Sequence, residues 1–281
     1  MTTTHLTRAS LSIEFEKGVD ENSLNVRLFD AFPSLAASLR RVMMQDIFTW
    51  AVSKSSIGTY TGDEPWEHVV SKLDELVFSA RSTTYAPSEF HQVDAIVIPI
   101  SFFAPFTTQL FPITADQIVH PALNAADPAM VIATLRRGQI LEAELTVTRQ
   151  SGAFHDKWSP AVAVGTFLQH GIKLNKSLLT THDDSKGTKQ KRKPSLLAKS
   201  LVSSCPTGVF VWNNDIEDLA IDMEKCIGCR QCENDFGNSL NLTIEPNPNA
   251  CCLHIETNNT MTAMVLFKES LRALITICES L

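Results

Sequence analysis

The chain lacks an excess of positive charge: 24 Lys and Arg are outnumbered by 31 Asp and Glu among 281 residues, a formal net charge of −7. Overall charge therefore argues against nucleic-acid binding, which relies on clustered cations releasing phosphate counterions, and leaves only a local basic patch open. Glycine is scarce at 11 residues and hydrophobic residues reach 44%, which excludes a collagen-like or disordered chain and provides a real core for one large or two ordinary domains. The first residues have no basic stretch followed by an apolar one, so no secretory signal is expected. The only long uncharged stretch, Ala95–Ala115, is broken by Pro99, Pro105 and Pro112, so a membrane-spanning helix is not expected. Sequence signatures of catalysis are missing too: G-x-x-x-x-G-K-[ST], H-E-x-x-H, G-x-S-x-G and D-x-D-x-D do not occur, and the eight His are scattered. No catalytic residue is expected, and the chain by itself reads as no enzyme.

What is present is periodicity at both ends. Leu11, Ile13 and Phe15 alternate with polar residues, and Leu24, Val26 and Leu28 do so again after Gly18 and Asp20, the pattern of a two-stranded antiparallel pair. Phe32, Leu35, Leu39, Val42 and Ile47, with Ala36 and Met43, then predict a helix from about Pro33 to Asp46, with Pro in its first turn. Near the other end Met264, Phe267, Leu271, Leu274, Cys278 and Leu281 form an apolar seam, suited either to a helix of a partner or to the chain's own sheet. Strands and Pro-rich turns are expected between about 53 and 167, including one through Leu141, Ala143, Leu145 and Val147. Periodicity fails from Thr166 to Ser203. Within that stretch Lys186, Lys189, Lys191, Arg192 and Lys193 read first as a solvated loop, with a nuclear import tag or phosphate contact as the alternatives.

Seven Cys without a secretory signal point to a reducing compartment, where clustered thiols are more often metal ligands than disulfides. Cys251, Cys252 and Cys278 sit in apolar patterns and are expected in the core. Cys226, Cys229 and Cys232 form a C-x2-C-x2-C run downstream of Cys205-Pro206. In two-cluster ferredoxins the Cys before Pro ligates the other cluster, so these four would be the surviving ligands of one iron–sulfur cluster, 4Fe-4S or 3Fe-4S. A four-Cys zinc site and a metal-free or disulfide-bonded relic remain open, because ligand count does not separate them. No flavin or nicotinamide fingerprint accompanies the module, so a structural role is favoured over electron flow.

Phe29 to Met43, with its Leu39-Arg40-Arg41-Val42 signature, resembles the first helix of the alpha-like subunits of multisubunit RNA polymerases. Leu135-Arg-Arg-Gly-Gln139 and His155-Asp-Lys157-Trp158-Ser-Pro160 are similar to two further segments of that family. With the cysteines, the best match is the larger alpha-like subunit of archaeal and eukaryotic enzymes. The family's Asp-Glu-x-x-x-His segment survives only as Asp63, Glu64 and His68.

The resemblance implies an α+β fold: a discontinuous dimerisation domain of about 8–52 and 168–281, an inserted mostly-β domain of 53–167, and a ferredoxin-like module of 200–248. It implies a non-catalytic assembly subunit that pairs with a smaller alpha-like subunit and supports the two large catalytic subunits, in the nucleus if eukaryotic and the cytoplasm if archaeal. No membrane and no base-specific nucleic-acid contact are expected. Leu35, Leu39, Val42, Phe267, Leu271 and Leu274 would meet the smaller partner. Arg40, Arg41, His155, Lys157 and Trp158 would face a large subunit. The rival expectation is a stand-alone iron–sulfur electron carrier or redox accessory protein.

Overall fold

The structure, a computed structural model, describes residues 12–80, 95–181, 193–213 and 218–280, apart from 19, 108, 176, 178 and 195. The basic residues 186–192 and Leu281 lie outside the described residues. The fold is mixed α+β. The first elements are β1 (Ser12–Lys17), β2 (Ser23–Phe29), α1 (Pro33–Gln45), β3 (Phe48–Tyr60), α2 (Trp66–Asp74) and β4 (Val77–Ala80). Next come β5 (Ile96–Phe103), β6 (Leu110–Thr114), β7 (Leu123–Ala125), β8 (Val131–Arg136), β9 (Ile140–Ser151) and β10 (Ala161–Lys173). The chain continues through β11 (Thr180–Thr181), β12 (Lys193–Pro194), α3 (Leu196–Ser204), β13 (Phe210–Asn213), β14 (Asp218–Ile221), α4 (Gln231–Leu240), β15 (Thr243–Thr257) and α5 (Ala263–Glu279). Strands β1, β2, β15 and β10 form a four-stranded sheet in that order.

Contacts divide the chain into two compact units, one of which comprises Ile13–Arg27, Ser34–Thr166 and Leu253–Leu281. Its five-stranded sheet runs β5-β9-β3-β4-β7, and β6 pairs with β8. Alternation in β9 is realised as read from sequence: Leu141, Ala143, Leu145 and Val147 are buried, because successive strand side chains point to opposite faces. They share a core with Trp50, Val52, Phe78, Ile98, Ile113, Ile132 and Leu135, and with Val69 and Leu73 of α2. Ala95–Ala115 supplies β5 and β6, and no helix among the described residues is long and apolar enough to cross a membrane.

The other unit comprises Leu28–Pro33 and the described residues of Phe167–Cys252. Here the antiparallel pair β13–β14 and helices α3 and α4 surround Leu201, Val209, Phe210, Leu219, Cys232, Leu240 and Leu242. Helix α4 begins after two left-handed residues, Gly228 at φ +66° and Arg230 at φ 58°, and ends on Asn241 at φ 48°. Asn is one of the few residues with a side chain that visits this region readily, and it closes helices there.

Candidate functional site

Two helices carry the residues singled out for partner binding. In α1 the buried stripe is Ala36, Leu39, Val42 and Met43, so Leu39 and Val42 serve the chain's own core. Leu35 is half-buried, and Arg40 and Arg41 are exposed on the other side. Arg40 is not free: its Nε donates to the Val164 carbonyl of β10 at 2.9 Å. Burial raises the Asp46 carboxyl above its ordinary value, against the opposing pull of the Arg41 charge.

Helix α5 starts at a Thr262 cap, whose hydroxyl accepts from the Val265 amide at 3.4 Å. Its buried face is Ala263, Leu266, Phe267, Glu269, Ser270 and Ala273. Phe267 is held within the chain by an edge-on contact with Phe15, centroids 5.6 Å apart. Glu269 pairs with Arg272 through one carboxylate oxygen, and the other has no hydrogen-bond partner among the described residues. The second half of the helix is different. Leu271, Leu274 and Ile277 are half-covered, Cys278 is exposed, and Ile275 is 56% exposed. Leu271, Leu274, Ile275 and Cys278 follow i, i+3, i+4, i+7 spacing and so share one helix face, an apolar stripe that the described residues cover only in part. Ile275 lies between the seam positions read from sequence. Cys278, expected in the core, belongs to this open face, whereas Cys251 and Cys252 are buried in β15.

The His155–Pro160 segment is a short 3-10 turn with its own anchors. The Trp158 ring is 2% exposed and its indole N–H donates to Thr148 O at 3.1 Å. The Lys157 ammonium lies 4.6 Å from the centre of that ring and donates to Asp74 O at 3.1 Å. Desolvation pushes the Lys157 pKa down, with Asp74 opposing. Thr49 Oγ1 donates to Trp158 O at 2.6 Å, and a Cβ on Gly152 would fall 1.9 Å from Met44 O. The turn is thus fixed against the end of α1 and presents His155, Asp156 and Phe154 to solvent, while Trp158 itself is core.

The Leu-Arg-Arg-Gly-Gln segment makes a tight turn at Gly138, φ +77°, between β8 and β9. Arg136 pairs with Asp63 at 2.7 Å and Gln139 Nε2 donates to Asp63 Oδ1 at 3.0 Å. Glu64 pairs with Lys72 at 2.6 Å. Asp63, Glu64 and His68, barely legible as a motif, therefore contribute to a polar network beside α2.

Three of the four motif cysteines, Cys205, Cys226 and Cys232, lie in or against the smaller core. Cys232 is buried in α4, and its thiol is raised by burial and by the nearby Cys226 and Cys205. Cys205 is half-buried and accepts from the Val209 amide at 3.4 Å; that amide, Thr207 and Gly208 outweigh desolvation and hold its thiol below the ordinary value. Cys226 packs at the edge of the same core, whereas Cys229 is exposed. The donor chemistry suits iron–sulfur or zinc, but the arrangement does not. Among the described residues no three His, Cys, Asp or Glu are grouped to hold a metal ion, and the cysteines are free of disulfides. Nothing supports the electron-carrier alternative.

Comparison with known proteins places this geometry. Residues 27–278 match the family model described as the RNA polymerase Rpb3/Rpb11 dimerisation domain. The chain is 24% identical over 290 aligned residues to "DNA-directed RNA polymerases I and III subunit rpac1" of Dictyostelium discoideum, covering 92% of this chain and 77% of that one. It is 23% identical to a "Conjugation stage-specific protein" of Tetrahymena thermophila, over 86% of this chain and 84% of that protein. It is also 27% identical to "DNA-directed RNA polymerases IV and V subunit 3B" of Arabidopsis thaliana, over 43% of this chain and 31% of that one. With a match across most of its length, and a helix whose apolar face is left open at its end, the chain belongs to the RNA polymerase Rpb3/Rpb11 dimerisation domain family.

Proposed function

We propose that this chain is a non-catalytic assembly subunit of a DNA-dependent RNA polymerase. It pairs with a smaller alpha-like subunit, and the pair forms the platform on which the two large catalytic subunits assemble in the nucleus. The observation that carries this reading is the partly covered stripe Leu271, Leu274, Ile275 and Cys278 on α5 in a chain of a dimerisation family. Obligate interfaces resemble a core cut in half, and that stripe has the composition of one side.

In this reading 8–52 and 168–281 make the dimerisation part, 53–167 the inserted β part and 200–248 the small module. Leu35 and the α5 stripe meet the partner. Leu39, Val42 and Phe267 support that surface from within the core rather than touching it. Arg41 and His155 are offered to a large subunit, with Arg40 holding α1 to β10 and Lys157 and Trp158 fixing the turn. The small module is structural, its thiols packing with Leu and Phe, and an iron–sulfur or zinc centre is not part of the reading.

Purification of the tagged chain from its native source tests the assignment. The two large polymerase subunits and a smaller alpha-like subunit should copurify in equal amounts. Recovery of a reductase in their place would refute it.

A further inference from the structure

Phe106 is 71% exposed, yet its ring is held in place. It lies so close to Gly138 that a Cβ there would fall 2.9 Å from ring Cε1, and Gly138 sits at φ +77°, a conformation residues with a side chain seldom enter. The ring also meets Phe103 edge-on, centroids 5.7 Å apart. Two backbone bonds tie the loop that carries it to the β8–β9 turn: the Ala104 amide donates to Gln139 O at 3.0 Å and the Gly138 amide to Ala104 O at 2.9 Å. Phe103 is itself 49% exposed, and Leu110, 59% exposed, stands opposite Arg136 in the β6–β8 pair. A ring left in water contributes little to the chain's own folding. One already fixed, however, loses little freedom when another surface covers it, which favours binding.

The two arginines of the turn differ. Arg136 pairs with Asp63 at 2.7 Å, and Gln139 also donates to Asp63, at 3.0 Å. Arg137, which precedes the glycine beneath the ring, is exposed and has no ion pair among the described residues. A single uncommitted guanidinium beside an aromatic pair sets the chemistry of what fits: one carboxylate next to an apolar side chain. Nucleic acid fits poorly, because phosphate binding relies on clustered cations and the adjoining strand β9 carries exposed Glu142 and Glu144. A second copy also fits poorly. A symmetric contact would bring Arg137 back to the same patch, where Asp63 is already engaged.

We propose that Phe103, Phe106 and Arg137 form a docking surface for a different protein chain, which lays an apolar side chain on the Phe106 ring and an Asp or Glu against the Arg137 guanidinium. Aromatic residues and Arg are enriched at such contacts, and the planar fork of Arg matches a carboxylate with two parallel hydrogen bonds. The surface shares no residue with α1, the α5 stripe or the His155–Pro160 turn, so it adds a contact to those of the assembly reading.

The test uses the native complex copurified with the tagged chain, with p-benzoylphenylalanine in place of Phe106, a close aromatic match at an exposed position. Irradiation should crosslink one segment of a different polypeptide, at a site beside an Asp or Glu. Arg137→Glu should lower the crosslink yield about tenfold, as expected when an interfacial charge pair is reversed, without shifting the melting temperature. Changing the partner's acidic residue to Arg should then restore the yield. Absence of a crosslink, crosslinks confined to this chain, a second copy or nucleic acid, or a yield indifferent to Arg137→Glu would each overturn the proposal. The identity of the crosslinked polypeptide keeps this surface separate from the polymerase assignment: a charge-dependent crosslink to a protein that is no polymerase subunit supports the surface and counts against the assignment.

Discussion

Ile275→Asp separates partner binding from folding. The side chain is 56% exposed in the chain, so the chain's own stability should change by no more than about 0.5 kcal/mol, as for most surface substitutions. On the proposed reading the pair covers the same side chain. Fully burying an Ile is worth about 1.5–3 kcal/mol, of which about half is left to gain for a side chain 56% exposed, and an unpaired carboxylate left in that contact adds a further desolvation cost of roughly 2 kcal/mol after partial hydration. A total near 3 kcal/mol corresponds to about a hundredfold weaker pairing, at about 1.4 kcal/mol per tenfold. Leu271→Asp and Leu274→Asp should weaken pairing similarly while also costing the chain some stability, since both are already half-covered. Sedimentation of the coexpressed pair over a dilution series measures the affinity, and urea unfolding of the chain measures the control. An Ile275→Asp pair that sediments as tightly as the parent would refute the reasoning.

Arg41→Ala should leave both pairing and stability intact and weaken recruitment of a large subunit, whereas Arg40→Ala should also lower stability by about 1 kcal/mol through its lost bond to Val164; normal recruitment by the double variant would remove this role. Gly152→Ala drives a Cβ into Met44 O and should cost about 3 kcal/mol, the upper end of overpacking penalties, read as a drop in the urea midpoint. Asp46 has a folded-state pKa raised above its unfolded value, so the folded state holds the proton more tightly and stability falls as pH rises from the ordinary carboxylate value through the raised one. Asp46→Asn should abolish that slope in a pH series of urea midpoints. Anaerobically purified protein should lack stoichiometric iron, acid-labile sulfide and zinc, because among the described residues no three candidate ligands are grouped to hold a metal ion; a brown protein with near-equal iron and sulfide would restore the cluster.

Legibility followed the strength of the periodic signal. Helix α1, expected over 33–46, spans Pro33–Gln45, and β2 and β9 fall where alternation was unbroken. Helix α2 carries no periodic signal because its burial rests on two residues, Val69 and Leu73, too few to set a period. Helix α4 was hidden by the cysteine spacing, which drew attention to ligands while Cys232 was packing as a helical core residue. At the candidate site the apolar seam of α5 was visible, but spacing alone could not divide it into the part facing the chain's own core, Phe267, and the part left open, Leu271 to Cys278. That division depends on what the rest of the chain already covers. The His155–Pro160 turn shows the same limit, since the hydrogen bonds that hold Trp158 are made with Thr49 and Thr148, remote or outside the motif.

The most direct measurement of the central claim is the native mass of the chain coexpressed with a smaller alpha-like subunit from the same source. The account predicts a one-to-one heterodimer that survives dilution and is lost with Ile275→Asp. A monodisperse, fully folded monomer that ignores the smaller subunit would contradict it.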